Sequence, residues 1–235
     1  GAGCTWNDIS DRKFDALVDR TKFRPLPSGQ VSLKQASIWM VIQALIAFLV
    51  LLTFNTFAIL VGVLALVPVL VYPFAKRFTW WPQVFLGITF NWGILLGYSA
   101  HKPEITLPCV VLYMAAILWT VFYDTIYAYQ DIKDDIAIGI KSTARLFGDK
   151  ASKFLSIFSI FIILLIIISH FLNSYDEEIL RILPGTIGIL AFGGHLYWQI
   201  KCLDISSPEI CLTLFKSNTY AGLILLITLV ISTIT

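Results

Sequence analysis

Asp8, Asp11 and Asp15 recur at steps of three and four residues in the stretch NDISDRKFDALVDRTKFRPLPSG, residues 7–29. On a helix that spacing places them on one face. A second set, Asp124, Asp131 and Asp135, recurs at steps of seven and four, with Asp134 close to the same face. Carboxylates crowded in this way repel one another and raise each other's pKa. A chain keeps them together at low cost only where a cation neutralises them. The donors are oxygens without His or Cys, a set that suits a hard divalent ion such as Mg²⁺ or Mn²⁺. Basic side chains stand among the acids: Arg12, Lys13, Arg20, Lys22 and Arg24 in the first stretch, Lys133, Lys141 and Arg145 in the second. Arg and Lys hold phosphate oxygens, and Mg²⁺ is commonly held by a few carboxylates plus a substrate phosphate. The combination reads as a magnesium–diphosphate site. Either cluster alone also reads as a solvated loop of mixed charge. Two clusters of helical spacing, each at the end of an apolar stretch, disfavour that plainer reading.

The elements that carry these acids belong to a membrane protein. The chain has 235 residues, 57% hydrophobic and 14% charged, with a mean hydropathy of +0.80. Such a composition predicts an all-α, polytopic transmembrane helix bundle. A formal charge of +2 gives no reason to expect a nucleic-acid partner. Cys4, Cys109, Cys202 and Cys211 lie far apart and have no metal-ligand spacing. A helix crossing a bilayer needs about 20 apolar residues, and seven stretches qualify: about 36–53, 56–75, 82–100, 106–123, 153–172, 179–199 and 218–235, with the tail of another before Asn7. Numbering the connections alternately puts fifteen of the seventeen Lys and Arg on one side, which by the positive-inside rule is the cytoplasm or the mitochondrial matrix. Nine of the fifteen acids fall in two connections on that same side. The start at Gly1, with no signal peptide ahead of a short apolar stub, reads as a chain lacking its N-terminal helices.

The two stretches resemble the paired signatures of the UbiA-type membrane prenyltransferases. Residues 7–29 follow the form N-D-x-x-D-x-x-x-D with an R-T-x-x-R-P-L run. YDTIYAYQDIKDDIAIGIKSTARLFG, residues 123–148, is similar to the second signature, and its D-T-x-Y-A, D-x-x-D-D and I-G-x-K-S-T-A phrasing resembles the branch that prenylates 4-hydroxybenzoate. The resemblance implies nine transmembrane helices around a central cavity capped by both motifs. Residues 1–235 then form a single domain of about seven complete spans. The first helix and most of the second would be missing, and with them part of the acceptor pocket. The first aspartate-rich loop covers 7–35 and the second 123–150.

By the same resemblance Asn7, Asp8, Asp11 and Asp15 form one Mg²⁺ cluster, and Asp131 and Asp135 the other, with Asp124 and Asp134 in support. Asn7, Arg20, Lys22, Arg24 and Lys141 hold the diphosphate. Tyr127 leans toward the reacting carbons, or else packs as a helix-end aromatic. The implied reaction is Mg²⁺-dependent transfer of a polyprenyl group from an allylic polyprenyl diphosphate to C3 of 4-hydroxybenzoate, an early membrane step of ubiquinone synthesis. Asp8, Asp11, Asp15, Asp131, Asp135 and Tyr127 are its catalytic set. The implied partners are these two substrates and membrane lipids, with no obligate protein partner. The implied location is a bacterial inner membrane with the motif loops cytoplasmic, the mitochondrial inner membrane being the alternative.

Other readings stay open at this stage. Menaquinone- and haem-type prenyltransferases share the first signature, although the KSTA phrasing disfavours them. A cation-coupled transporter usually places its acids in mid-span, whereas these cluster at span ends. His101, His170 and His195 are single and read as packing residues. Gly93 and Gly97, in G-x-x-x-G spacing, predict close helix packing. Pro184 and Gly193-Gly194 predict helix bends, Trp80 and Trp81 a belt at the membrane interface, and Asp176-Glu177-Glu178 a solvated turn on the opposite face.

Overall fold

The fold was obtained as a computed structural model that describes residues 1–173 and 179–234, so the expected turn at Asp176–Glu178 lies outside the described residues. Every regular element among them is helical. Helices occupy all seven expected stretches. Five are long and apolar enough to cross a membrane: Leu33–Leu51, Thr56–Phe78, Leu107–Ala137, Thr143–Asn173 and Pro208–Thr228. Large apolar side chains cover their outer surfaces, among them Leu45, Leu49 and Val50, or Phe161, Leu164 and Ile168. Water would not tolerate such surfaces and lipid does. The chain is an integral membrane protein.

The chain divides into two compact units, Gly1–Glu104 with Asp131–Ser142, and Ile105–Gln130 with Thr143–Thr235. The first unit is built on α1 (Ala2–Asp15), α2 (Leu33–Leu51), α3 (Thr56–Leu64), α4 (Leu66–Phe78), α5 (Pro82–Phe90) and α6 (Trp92–His101). Here α1 packs on α2 and α4, α4 on α5, and α3 on α6. Local chemistry sets the boundaries. Ser32 caps α2 in a reciprocal capping box with Gln35. The Asn55 side chain accepts from Ala58 N–H at the start of α3 and donates to the Ser99 and Ala100 carbonyls at the end of α6, at 2.8 and 3.2 Å.

The expected span at 56–75 is interrupted at Ala65, because Pro68 has no N–H to return to the Leu64 carbonyl. The span at 82–100 begins at Pro82, favoured at a first helical position, and is interrupted at Asn91, whose side-chain amide donates to the Gly87 carbonyl at 2.8 Å. Trp92 donates to the Val61 carbonyl at 2.9 Å. The G-x-x-x-G expectation is corrected here: a Cβ built on Gly93 or Gly97 would meet nothing within 4 Å. Among the described residues no helix backbone lies against the pair.

The second unit contains α7 (Leu107–Ala128), and the first contains α8 (Ile132–Ala137), reached through a 3₁₀ turn at Tyr129–Asp131. The remaining helices, α9 (Thr143–Phe147), α10 (Ala151–Asn173), α11 (Ile179–Cys202) and α12 (Pro208–Ile234), complete the second unit. Its core is formed by Phe122, Ile126, Leu155, Ile162, Phe192 and Leu196, all fully buried where α7, α10, α11 and α12 meet. Pro184 lies inside α11, which is assigned as one continuous helix through Gly193-Gly194. Close approach there is real: a Cβ on Gly193 would come within 3.0 Å of Ile163.

Candidate active site

The first acidic set sits on α1, and α4 holds that helix in place. Trp6 donates to the Leu70 carbonyl at 3.3 Å and meets Phe74 edge-on, with ring centroids 6.1 Å apart. The guanidinium of Arg77 lies over the rings of Phe14 and Phe74, 5.2 and 4.8 Å from their centroids. Cation–π contacts of this kind hold an arginine without consuming its charge. The expected shared face is present: Asp11 is 2% exposed and Asp15 8%, with Asp8 half-buried beside them.

Each of these carboxylates faces a cation. Lys76, in the last turn of α4, donates to Asp11 Oδ2 at 2.6 Å. Arg24 reaches Asp8 at 3.2 Å and Asp15 at 3.1 Å through one nitrogen, Nη1. Arg20 grips both oxygens of Asp131, with its Nε 2.9 Å from each and its Nη2 bonded to Oδ2. A fork of this type is the strongest geometry that an arginine–carboxylate pair adopts. Because Asp131–Ser142 belongs to the first unit, the Arg20–Asp131 pair joins the two acidic stretches inside one compact body. Asp134 and Asp135 lie in the first turn of α8, which ends in a turn through Gly139 at φ +74. Lys141 donates to the Phe78 carbonyl at 3.3 Å beside the end of α4. Its backbone N–H bonds the Lys76 carbonyl at 3.2 Å.

Burial pushes Asp8 above the usual carboxylate range; Arg24 opposes the rise, while Asp15 and Asp11 add to it. Burial also raises Asp11, against the pull of Lys76. Among the described residues no three His, Cys, Asp or Glu side chains gather around one point as a metal cage. The donor set nevertheless fits a hard divalent ion. It is all oxygen, and Asp11 Oδ1 is buried without accepting any hydrogen bond. Arg77 Nη2 stands off from that oxygen at 3.7 Å. A lone pair left unused on a buried carboxylate is costly, and an ion at this point would remove the cost. A cavity of about 400 Å³ is lined by Asp8, Gln35, Leu26 and Trp39.

Not every expected residue joins this cluster. Lys22 pairs at 2.5 Å with Asp19, which is 86% exposed on its side chain. Asn7 precedes Asp8 on α1. Asp124 and Tyr127 lie on α7 in the second unit, where the Tyr127 ring packs 4.4 Å from Phe215 of α12. Sequence reasoning missed Lys76 and Arg77 as site residues and counted them only as charge on the basic side. Their place at the C-terminal end of a span, on the acid-bearing side, was the available signal.

The sequence profile of the UbiA prenyltransferase family matches residues 1–229. The chain belongs to this family. Among its relatives, the mitochondrial 4-hydroxybenzoate polyprenyltransferase of Bos taurus is 43% identical over 235 residues, covering 98% of this chain and 61% of that protein. The 4-hydroxybenzoate octaprenyltransferase of Escherichia fergusonii is 42% identical over 231 residues, covering 98% and 78%. This UbiA-family chain thus spans about three fifths of the length of its mitochondrial relatives. The apo structure of a UbiA homolog from Aeropyrum pernix K1 superposes with a TM-score of 0.79 at 26% identity, covering 99% of this chain and 84% of that one. A UbiA homolog from Archaeoglobus fulgidus, solved bound to GPP and Mg²⁺, shares the fold with a TM-score of 0.73 at 21% identity, covering 99% and 83%.

Proposed function

We propose that the protein transfers a polyprenyl group from an allylic polyprenyl diphosphate to C3 of 4-hydroxybenzoate, with Mg²⁺ as its cofactor. The observation that carries this reading is the Arg20–Asp131 fork, which brings the two acidic stretches together among Lys76, Arg77 and Arg24. Asp8, Asp11, Asp15 and Asp131 face Arg20, Arg24, Lys76 and Arg77, four negative charges against four positive. A ligand that itself combines both signs, a divalent cation with a diphosphate, suits such a balanced set. The acceptor is assigned from the 4-hydroxybenzoate enzymes of cattle and Escherichia, with which the chain shares about two residues in five.

Asp8, Asp11 and Asp15, with Asn7, are the residues that would hold Mg²⁺ on α1, together with Asp131, Asp134 and Asp135 of the second stretch. When bound, Mg²⁺ supplies charge neutralisation to the departing diphosphate. Arg20, Arg24, Lys76 and Arg77 do the same through hydrogen bonds that strengthen as the allylic C–O bond breaks and its electron pair leaves with the diphosphate. The acceptor carbon ortho to the phenolic hydroxyl bonds the allylic carbon, and loss of the proton from that carbon restores the aromatic ring. Tyr127 is assigned a π face for the allylic cation, and Asp124 a supporting role beside it in sequence. The basic connections are assigned by the positive-inside rule to the cytoplasmic or matrix face of an inner membrane, bacterial or mitochondrial.

The test is a prenyl-transfer assay in membranes with radiolabelled 4-hydroxybenzoate, a polyprenyl diphosphate and Mg²⁺. A lipid-extractable product that disappears with EDTA and in Asp131→Ala is expected. Product formed equally in EDTA would refute the metal role, and product formed only with another aromatic acceptor would move the chain to a sibling branch.

A further inference from the structure

The second acidic stretch is an excursion from one compact unit into the other. The chain belongs to the second unit up to Gln130, to the first over Asp131–Ser142, and to the second again from Thr143. The excursion carries Asp131, Asp134, Asp135 and Lys141. Its two ends are tied together within the second unit. Thr125 on α7 and Thr143 at the start of α9 are both fully buried, and their hydroxyl oxygens are 2.6 Å apart. Thr125 also donates to the Val121 carbonyl, 2.5 Å away, and either hydroxyl can be the donor in the bond between the two. A second tie lies alongside. The Tyr129 hydroxyl donates to the Gly148 carbonyl at 2.7 Å, where the chain turns through φ +48. The two bonds close loops of 18 and 19 residues around the same acids.

We infer that Thr125 and Thr143 are positioning residues whose hydroxyl bond pins both ends of the Asp131–Ser142 excursion and so sets where its carboxylates stand for binding a divalent cation with a diphosphate. The inference rests on the proposed reading of that site. Both hydroxyls are enclosed and touch no reacting group, so their effect passes through the chain they hold. Valine would keep the shape and lose the bond. Apolar carbons approach to only about 3.5–4.0 Å, so a Val–Val pair spreads the two ends by roughly 1 Å. A displacement of that size at a site can cost on the order of a hundredfold. Folding should be affected differently. Each single valine removes one side of the hydroxyl bond, whereas replacing both partners by apolar groups of like shape is close to neutral.

The experiment uses the full chain in lipid nanodiscs, with Thr125→Val, Thr143→Val, the double valine variant, and the conservative Thr125→Ser and Thr143→Ser. Mn²⁺ binding in the presence of inorganic pyrophosphate is followed by electron paramagnetic resonance, next to thermal unfolding. KM is then measured separately for polyprenyl diphosphate and acceptor. The serine variants should match wild type. The double valine variant should unfold near the wild-type temperature yet need about tenfold more Mn²⁺, with KM raised for the diphosphate and unchanged for the acceptor. If the double variant does not fold, Thr143→Cys, whose thiol bonds weakly and at longer range, replaces it with the same expectation. Wild-type Mn²⁺ affinity in the double valine variant, or in Thr143→Cys where that replaces it, overturns the positioning role. Failure of wild type itself to bind Mn²⁺ with pyrophosphate overturns the proposed site, and the positioning role with it.

Discussion

Lys76 donates to one oxygen of Asp11 at 2.6 Å, while the other oxygen is buried and accepts no hydrogen bond. The partners are 65 residues apart in the chain, and Asp11 is 2% exposed. Removing the lysine therefore strands a charge that water cannot reach. Lys76→Met should cost about 3 kcal/mol of stability. Adding Asp11→Asn should recover much of that loss, because the buried charge goes with it. Thermal unfolding of the two single variants and the double variant forms the cycle. A double variant as unstable as the sum of its parts would show that the two residues are not coupled.

The raised carboxyls predict a pH dependence with a definite sign. Asp8 and Asp11 lie above the usual carboxylate range in the fold, chiefly through burial, so the folded chain binds protons more tightly there than the unfolded chain. Their contribution to stability is full below the unfolded pKa and is lost as pH rises through the folded one. In EDTA the unfolding temperature should gain from these two groups on acidification toward that window, and Asp11→Asn should flatten the gain. Asp19, held below the usual range by its hydrogen bond from Lys22, runs the other way: its contribution is present above the unfolded pKa and fades as pH falls through the folded one. Metal binding should weaken as pH falls, starting at a higher pH than an ordinary carboxylate requires, because protons compete for Asp8 and Asp11. A Mn²⁺ titration with inorganic pyrophosphate at several pH values measures this directly.

Arg20 holds Asp131 with a two-nitrogen fork, which a lysine cannot reproduce. Arg20→Ala should raise KM for the polyprenyl diphosphate by about tenfold or more, at roughly 1.5–3 kcal/mol for a charged hydrogen bond. Arg20→Lys should restore only part of it. The acceptor KM is the internal control, and an equal rise in both would point to a general loss of structure.

Lys22 and Arg24 are two residues apart yet should behave differently. Arg24 bridges Asp8 and Asp15, while Lys22 is engaged with exposed Asp19, and exposed pairs of this kind contribute little. Arg24→Ala should weaken diphosphate binding. Lys22→Ala should leave KM within roughly a factor of two. A strong defect in Lys22→Ala would mean that the lysine turns to the ligand when it binds.

Local periodicity made most of the fold readable. The steps from Asp8 to Asp11 to Asp15 foretold one helical face, and α1 presents it. The long apolar runs foretold helices, and helices fill each expected stretch. What escaped was set by distance along the chain or by single residues. Lys76 meets Asp11 only because α4 packs on α1, which no local pattern encodes. The breaks at Ala65 and Asn91 interrupt stretches that are apolar enough to read as unbroken spans. The Gly93–Gly97 spacing carried a packing signal, but spacing alone does not say whether another backbone lies opposite. Thr125 and Thr143 looked like signature letters, and their bond became visible only once α9 folded back on α7.

The pairing of Arg20, Arg24, Lys76 and Arg77 with carboxylates has a consequence for the order in which ligands arrive. A lone divalent ion would take up acids and strand cations, and a lone diphosphate would do the reverse. With neither ligand or with both, every charge keeps a partner, so on the proposed reading the cluster would act as a coincidence gate. It would resist the free phosphates and free metal ions that always surround it, and would open to the pair that the proposed chemistry consumes.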